Sequence, residues 1–488
     1  MIKFSNTYAK LPENFYEHIH PKPVKNPKLI EFNSKLSEFL NIDPKKINKK
    51  NGKLIFSGNK LLDGAKPIAM AYAGHQFGSF VPQLGDGRAV LIGEVIAKNG
   101  QRFDLQLKGS GKTSFSRQGD GRSPLGPVIR EYLISESLHY LGIPSTRSLA
   151  IVSTGELVNR ESPTPGGILT RIASSHIRIG TFEYFSSRED LRSLKKLADY
   201  TILRHFPEVK KNNPYQSLLN NVIKFQAKLI AKWMSIGFIH GVMNTDNTTI
   251  SGETIDFGPC AFMDEYHPNK VFSFIDHEGR YSYINQGRIM FWNLSKFAEG
   301  LLPLLNKNVE KAKKMAIESL EKFPKEFEQN WLDEMRKKIG LKKRRKEDIK
   351  IINTFLEILE NEKIDFTLGF RRLSNLIDKR KKESFFKRKV KNKEMFSNWC
   401  SQWDKRIKIE DDEKELIISS MNSVNPLFIP RNHLVESAIN GAVLKDDFLP
   451  MRELLNIIKD PFSEKKNKKK FYSPPKPHEV VKQTFCGT

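Results

Sequence analysis

His240-Gly241-Val242-Met243-Asn244-Thr245-Asp246-Asn247, with Asp256-Phe257-Gly258 nine residues further on, is the stretch that decides how the chain is read. In the kinase pattern H-R-D-x-x-x-x-N the third residue is the catalytic Asp and the eighth a metal-binding Asn, and a downstream D-F-G carries a second metal ligand. Here Asn247 stands eighth and Asp256 opens the D-F-G, but the third position is Val242. A valine side chain neither accepts a proton nor binds a metal. The hard oxygen ligands that hold a divalent cation against phosphate are thus kept, while the kinase base is missing. Asp246, next to Asn247, is the candidate to accept the proton of an incoming hydroxyl instead.

Toward the N-terminus, residues 89–96 and 103–108 read as strands, with Lys98-Asn99-Gly100 as the hairpin turn between them. The second strand alternates apolar with polar residues, which puts Asp104, Gln106 and Lys108 on one face. Lys108 ends that strand, and Gly109-Ser110-Gly111-Lys112-Thr113 follows. The Gly-Lys-Thr run is not a Walker P-loop, because that motif requires glycine where Gln106 stands. Lys108 fits instead the strand lysine that neutralises phosphate charge in a kinase-like fold. A carboxylate on the next helix, residues 128–141, would hold it; of Glu131 and Glu136, Glu131 is expected because it lies nearer the helix start. Gly142-Ile143-Pro144 stops that helix.

Gly85-Asp86-Gly87-Arg88 precedes the first strand and recurs as Gly119-Asp120-Gly121-Arg122. Gly85 and Gly87 let backbone N–H groups approach phosphate, and Arg88 can fork two of its oxygens. Asp120 and Gly121 would meet the nucleotide from the other side. Arg171 and Arg178 could reach a polyphosphate, or could be ordinary ion-pair residues. His75 and His277 lack a second histidine at helical spacing and are given no metal role.

Two further strands, residues 147–153 and 167–172, and a helical region from 190 to 237 complete the order around the acidic loop. Glycine turn, strand, hairpin, strand lysine, helix glutamate, strands, helices, acidic loop is the order of an α+β, protein-kinase-like two-lobe fold with nucleotide between the lobes. The expected division is an N-terminal extension (1–66), a β-rich nucleotide-binding lobe (67–180), a helical lobe with the catalytic and metal loops (181–287), a basic helical C-terminal region (288–460) and a flexible tail (461–488).

A 39% hydrophobic and 10% aromatic composition over 488 residues is that of a folded chain. No apolar run approaches the roughly 18 residues of a membrane span. The N-terminus has neither signal-peptide nor transit-peptide layout, so the expectation is a cytoplasmic protein with no membrane partner; separately, a monomer is expected. Three cysteines exclude a disulfide scaffold and a four-cysteine zinc site. The net charge of +25 raises nucleic acid as a partner. Lys342-Lys343-Arg344-Arg345-Lys346 and Lys379-Arg380-Lys381-Lys382 carry much of it, but no aromatic stacking platform or zinc finger accompanies them. They read as solvated helix faces, and nucleic acid is not an expected partner.

Tyr72-Ala73-Gly74-His75-Gln76-Phe77-Gly78, Gln83-Leu84-Gly85-Asp86-Gly87-Arg88, Leu107-Lys108-Gly109-Ser110-Gly111, the second Gly-Asp-Gly-Arg, the acidic loop, Asn425-Pro426 and Arg431-Asn432 together resemble the selenoprotein O family, also called the YdiU family. The resemblance spans nearly the whole chain. It implies a kinase-like fold that binds ATP in a flipped orientation and transfers AMP to Ser, Thr or Tyr hydroxyls of proteins, releasing pyrophosphate. It also implies UMP transfer from UTP with Mn2+ in bacterial members. Flipping the nucleotide puts the α-phosphate at the point of attack, which accounts for Val242. By motif, Gly85, Gly87, Arg88, Lys108, Asp120, Gly121, Arg171, Arg178 and Asp256 are similar to the family's nucleotide-binding positions. Asp246 is similar to its proton acceptor, and Asn247 and Asp256 to its Mg2+ or Mn2+ ligands. Family members carry Sec or Cys near the C-terminus, where this chain has Cys486; the resemblance suggests a regulatory disulfide but names no partner for it, and Cys260 is only a guess. The D-F-G replaces the D-Y-G of many members. The alternatives are a catalytically inactive nucleotide-binding pseudokinase scaffold and an ordinary protein kinase, the latter opposed by Val242.

Overall fold

The computed structural model describes residues 2–47, 49–209, 212–378 and 385–485. In chain order, β1 (Tyr16–His18) and β2 (Lys28–Phe32) precede α1 (Ser34–Phe39) and α2 (Lys49–Phe56). Next come β3 (Ile68–Met70), the hairpin of β4 (Gly74–Gln76) and β5 (Ser79–Val81), and the hairpin of β6 (Ala89–Ile96) and β7 (Arg102–Lys108). β8 (Ser123–Pro124) runs into α3 (Leu125–Tyr140), followed by β9 (Arg147–Asn159) and β10 (Pro163–Ala173). α4 (Ile179–Ser186), α5 (Leu191–His205) and α6 (Pro214–Ser235) lead to β11 (Phe238–Ile239) and β12 (Ala261–Phe262). From α7 (Gln286–Leu305) to near the end the chain is helical.

The class is α+β, built on one antiparallel sheet in the order β1-β3-β6-β7-β10-β9-β2, with β8 paired to β10. Both faces of the sheet are covered, which is why β6 is buried along nearly its whole length. Val90, Ile92, Leu105, Leu107 and Ile168 pack toward α1 and α2. Leu91, Ile151 and Leu169 pack on the opposite side with Ile129 and Leu133 of α3. The alternation in β7 therefore does not separate core from solvent. Asp104, Gln106 and Lys108 are all buried, and they form a polar seam inside the protein.

The expected hairpin turn holds, with Ile96 opposite Arg102 and Ala89 opposite Lys108. The next hairpin is longer than its apolar segments suggested, since Asn159 still pairs with Pro163. Its outer end is largely exposed and carries no apolar pattern to read. α3 starts at Leu125, earlier than expected, because Pro127 falls in the first turn, where no intrahelical N–H is needed. β11 and β12 pair and close the base of the acidic loop.

Two expectations differ from the structure. Lys342–Arg345 is not a helix face: Gly340, at φ +78°, ends the helix Lys322–Lys338, and the basic residues lie in the loop before Asp348–Asn361. Their charge is met locally, by Arg344–Asp333 at 2.6 Å and Lys342–Asp412 at 2.8 Å. The second basic run, 379–382, lies outside the described residues. The tail expected to be loose is seated at Thr484, which is buried and whose N–H donates to the Phe272 carbonyl at 2.8 Å. No helix among the described residues is long and apolar enough to cross a membrane.

Candidate active site

Strand β7 delivers Lys108 to the edge of a cavity of about 770 Å3. The Lys108 ammonium donates to Glu131 of α3 at 2.7 Å and to Asp256 at 2.7 Å. Glu136, the other candidate, lies five residues on, about 140° around the helix, and binds Arg147 instead. Arg171 of β10 closes the same network: its guanidinium donates to Glu131 at 2.7 Å and to Asp256 at 2.9 Å. Arg178 caps α4, stacks over Tyr72 at 4.2 Å and approaches Asp256 at 3.7 Å and Asp86 at 3.5 Å. Burial alone would raise the Asp256 carboxyl. Lys108, Arg171 and Arg178 outweigh that cost and hold it well below the usual carboxylate range. Glu131 is lowered in the same way, by Arg171 and Lys108 against burial. Asp256 sits at φ +62°, a left-handed conformation that turns its carboxylate into this cationic cluster.

The acidic loop meets the cluster from the other side. His240 is buried, stacks on Trp233 and pairs through Nε2 with the Ile255 carbonyl at 2.8 Å, tying the two loops together. Burial lowers its pKa, and the ring is neutral, because Nδ1 accepts the Val242 N–H at 3.3 Å while Nε2 donates to that carbonyl. Val242 lines the cavity, and its carbonyl accepts the Asn247 amide at 3.1 Å. That bond uses the Asn247 nitrogen, so a cation would be met by its oxygen. Asp246 is buried, and burial pushes its carboxyl up to about 7 against the lowering influence of Arg178 and Gln76.

Every nucleotide-binding, proton-acceptor and metal candidate from the sequence lines this one cavity: Gly85, Gly87, Arg88, Lys108, Asp120, Gly121, Arg171, Arg178, Asp246, Asn247 and Asp256. Seven cationic side chains line it against four carboxylates, a balance suited to a polyphosphate. The glycines also answer to packing. A Cβ on Gly87 would sit 2.7 Å from the Phe115 carbonyl, and one on Gly121, at φ +69°, 2.2 Å from the Gly111 backbone. Asp120 lies at the mouth, held by both Arg160 terminal nitrogens at 3.0 Å. A second cavity of about 860 Å3 adjoins and shares Val242, Pro259 and Ile275. Thr484 reaches its wall and donates to the Pro259 carbonyl at 2.6 Å. Cys260 is buried behind Pro259, its thiol bonded to the Phe257 carbonyl at 3.3 Å, and Cys486 lies outside the described residues.

Residues 1–459 match the family described as Protein adenylyltransferase SelO. This chain belongs to the SelO family. Among its SelO relatives, the Protein nucleotidyltransferase YdiU of Agrobacterium fabrum is 51% identical over 491 residues, covering 100% of both chains. The protein of the same name from Maridesulfovibrio salexigens is 50% identical over 490 residues, covering 100% of this chain and 99% of its own. That of Nitrosococcus oceani is 49% identical over 486 residues, covering 99% and 97%. In this SelO chain the sequence reading passed over Gln76, Asp86 and Glu183. Asp86 is buried and accepts from Met70 N–H at 3.2 Å and Gln106 at 3.2 Å. Its only signal was a charged residue between two turn glycines. His75, given no role from sequence, lies 2.5 Å from Glu183, which in turn accepts from the Thr245 hydroxyl. His277 is exposed.

Proposed function

We propose that this protein transfers a nucleotidyl group, AMP from ATP, to Ser, Thr or Tyr hydroxyls of other proteins and releases pyrophosphate. One observation carries the reading: Val242 stands at the kinase-base position while Asp246, Asn247 and Asp256 line the same basic cavity. The sheet and the helical part that meet there are read as the two lobes of a kinase-like fold. Lys108, Arg171 and Arg178 hold the triphosphate. The acceptor oxygen forms a bond to the α-phosphorus. The bond from that phosphorus to the oxygen bridging to the β-phosphate breaks, and pyrophosphate leaves with the electron pair. The acceptor proton passes to Asp246, whose burial gives it a proton affinity matched to near-neutral pH.

Asn247 and Asp256 fit a hard divalent cation. Both offer oxygen and line the same cavity. That is the donor set of an Mg2+ or Mn2+ site completed by phosphate and water. When bound, such an ion neutralises and polarises phosphate oxygens.

The test is label transfer. With ATP labelled at the α-phosphate and either metal, label should appear on the protein itself or on lysate proteins, and ATP labelled at the γ-phosphate should give none. No α-label transfer from ATP or UTP with either metal overturns the reading, and γ-label on acceptors would make the protein a kinase.

A further inference from the structure

Strand β4 belongs by sequence to the sheet region, yet its partner is β5 and not the main sheet. It lies instead across the acidic loop. The His75 N–H donates to Thr245 Oγ1 at 2.7 Å, and the Phe77 N–H donates to Asn244 Oδ1 at 3.1 Å. Between them Gln76 Nε2 donates to Asp246 Oδ2 at 3.3 Å. This is the one hydrogen bond from another side chain that the Asp246 carboxylate receives among the described residues, and Oδ1 is buried with no partner. Gly74 completes the contact, since a Cβ there would stand 2.7 Å from Asp246 Oδ1. The strand is itself held from behind. His75 pairs with Glu183, which also binds Thr245, and Ala73 N–H donates to the Gly180 carbonyl at 2.9 Å. Phe77 is kept at φ +52°, a costly conformation for a bulky residue.

The terminal torsion of an aspartate is broad and roughly two-fold, so packing at Cβ alone does not set the plane of its carboxylate. A single directional donor does. We propose that Gln76 is a positioning residue for nucleotidyl transfer, fixing the Asp246 carboxylate in the orientation that receives the acceptor's proton, with Gly74 leaving the room that orientation needs. The inference rests on Asp246 as proton acceptor. Gln76 acts through Asp246 and forms no bond to the reacting atoms.

The test compares Gln76→Ala and Gln76→Glu with wild type, using transfer from α-labelled ATP at varied ATP concentration. Ala removes the donor. Glu keeps the shape and turns an acceptor on Asp246. Both are expected to lower kcat by about ten- to a hundred-fold, with KM for ATP within about twofold and an unchanged thermal unfolding midpoint. Wild-type kcat in both variants, or a loss confined to KM for ATP, overturns the inference; the second result would make Gln76 a nucleotide contact. If wild type itself transfers no α-label, the proposed function fails, and that outcome is distinct because it appears before any variant is compared.

Discussion

Asp256 and Asp246 lie in the same cavity and have opposite electrostatics, which assigns them different work. Asp256 is flanked by Lys108, Arg171 and Arg178 and stays ionised, which suits the metal-ligand role proposed for it. Among the described residues no cation lies at contact distance from Asp246, and burial lifts its carboxyl to about 7. Asp256→Ala should abolish metal-dependent nucleotide binding and, with it, transfer, measured by fluorescent-nucleotide titration with and without Mn2+. Asp246→Ala should stop transfer while nucleotide binding persists. Transfer that survives in Asp246→Ala would exclude Asp246 as acceptor, and a wild type that binds nucleotide but never transfers would favour the inactive scaffold. Asp104 supplies a pH prediction away from the site. Burial would raise its carboxyl, but Arg204 at 2.6 Å and His176 at 2.9 Å lower it to about 2. A depressed acid stabilises the fold above its unfolded value, near 3.9, and that stabilisation is lost as pH falls through the folded value. Asp104→Asn should therefore cost about 2 kcal/mol at pH 7, with the gap from wild type closing between about pH 4 and pH 2. Urea unfolding across that range measures it; a gap independent of pH would rule out the charge as its source.

Among the elements, α3 is the one that joins fold to site. Its buried Glu131 binds Lys108 from β7 and Arg171 from β10, so one helix carboxylate fixes two strands' cations. Removing one member of a buried ion network leaves the others desolvated and unpaired, at a cost of about 3–5 kcal/mol. Glu131→Ala should lose stability on that scale in chemical denaturation and should weaken nucleotide binding as well. A loss under 1 kcal/mol would mean that Asp256 alone satisfies both cations. The helix was legible because its stop signal and carboxylate spacing are local. The end of the β9–β10 hairpin was not, since Gly155–Asn159 and Pro163–Pro165 carry no apolar repeat and their pairing follows only from register established deeper in the sheet.

For the molecule as a whole, the tail is the part whose placement composition misjudged. Polar, lysine-rich sequence from Pro461 reads as loose, yet Thr484 is buried between Pro259 and Phe272 and Phe485 packs on Phe274 at 5.0 Å. Thr484→Ala removes hydroxyl bonds worth about 1 kcal/mol. The Phe274 amide, which donates to the Thr484 carbonyl at 3.3 Å, should then exchange hydrogen roughly fivefold faster; an unchanged rate would show that the backbone bonds alone hold the tail. The sequence alone determined the candidate set, because candidate ligand and phosphate-binding residues appear as definite types at short, rigid spacings: Lys108 at a strand end, Asn247 after Asp246, Asp256 before Phe-Gly. It also determined Glu131 over Glu136, through helical geometry. What only the tertiary structure decided is how these residues are held. Arg171 and Arg178, which by spacing alone could have been ordinary ion-pair residues, reach Asp256 only because β10 and α4 carry them there. Gln76 met Asp246 across a separation of 170 residues. No periodicity or motif spacing encodes such contacts, since they arise where separately folded elements pack, and there a side chain's role is set by the neighbours that burial supplies.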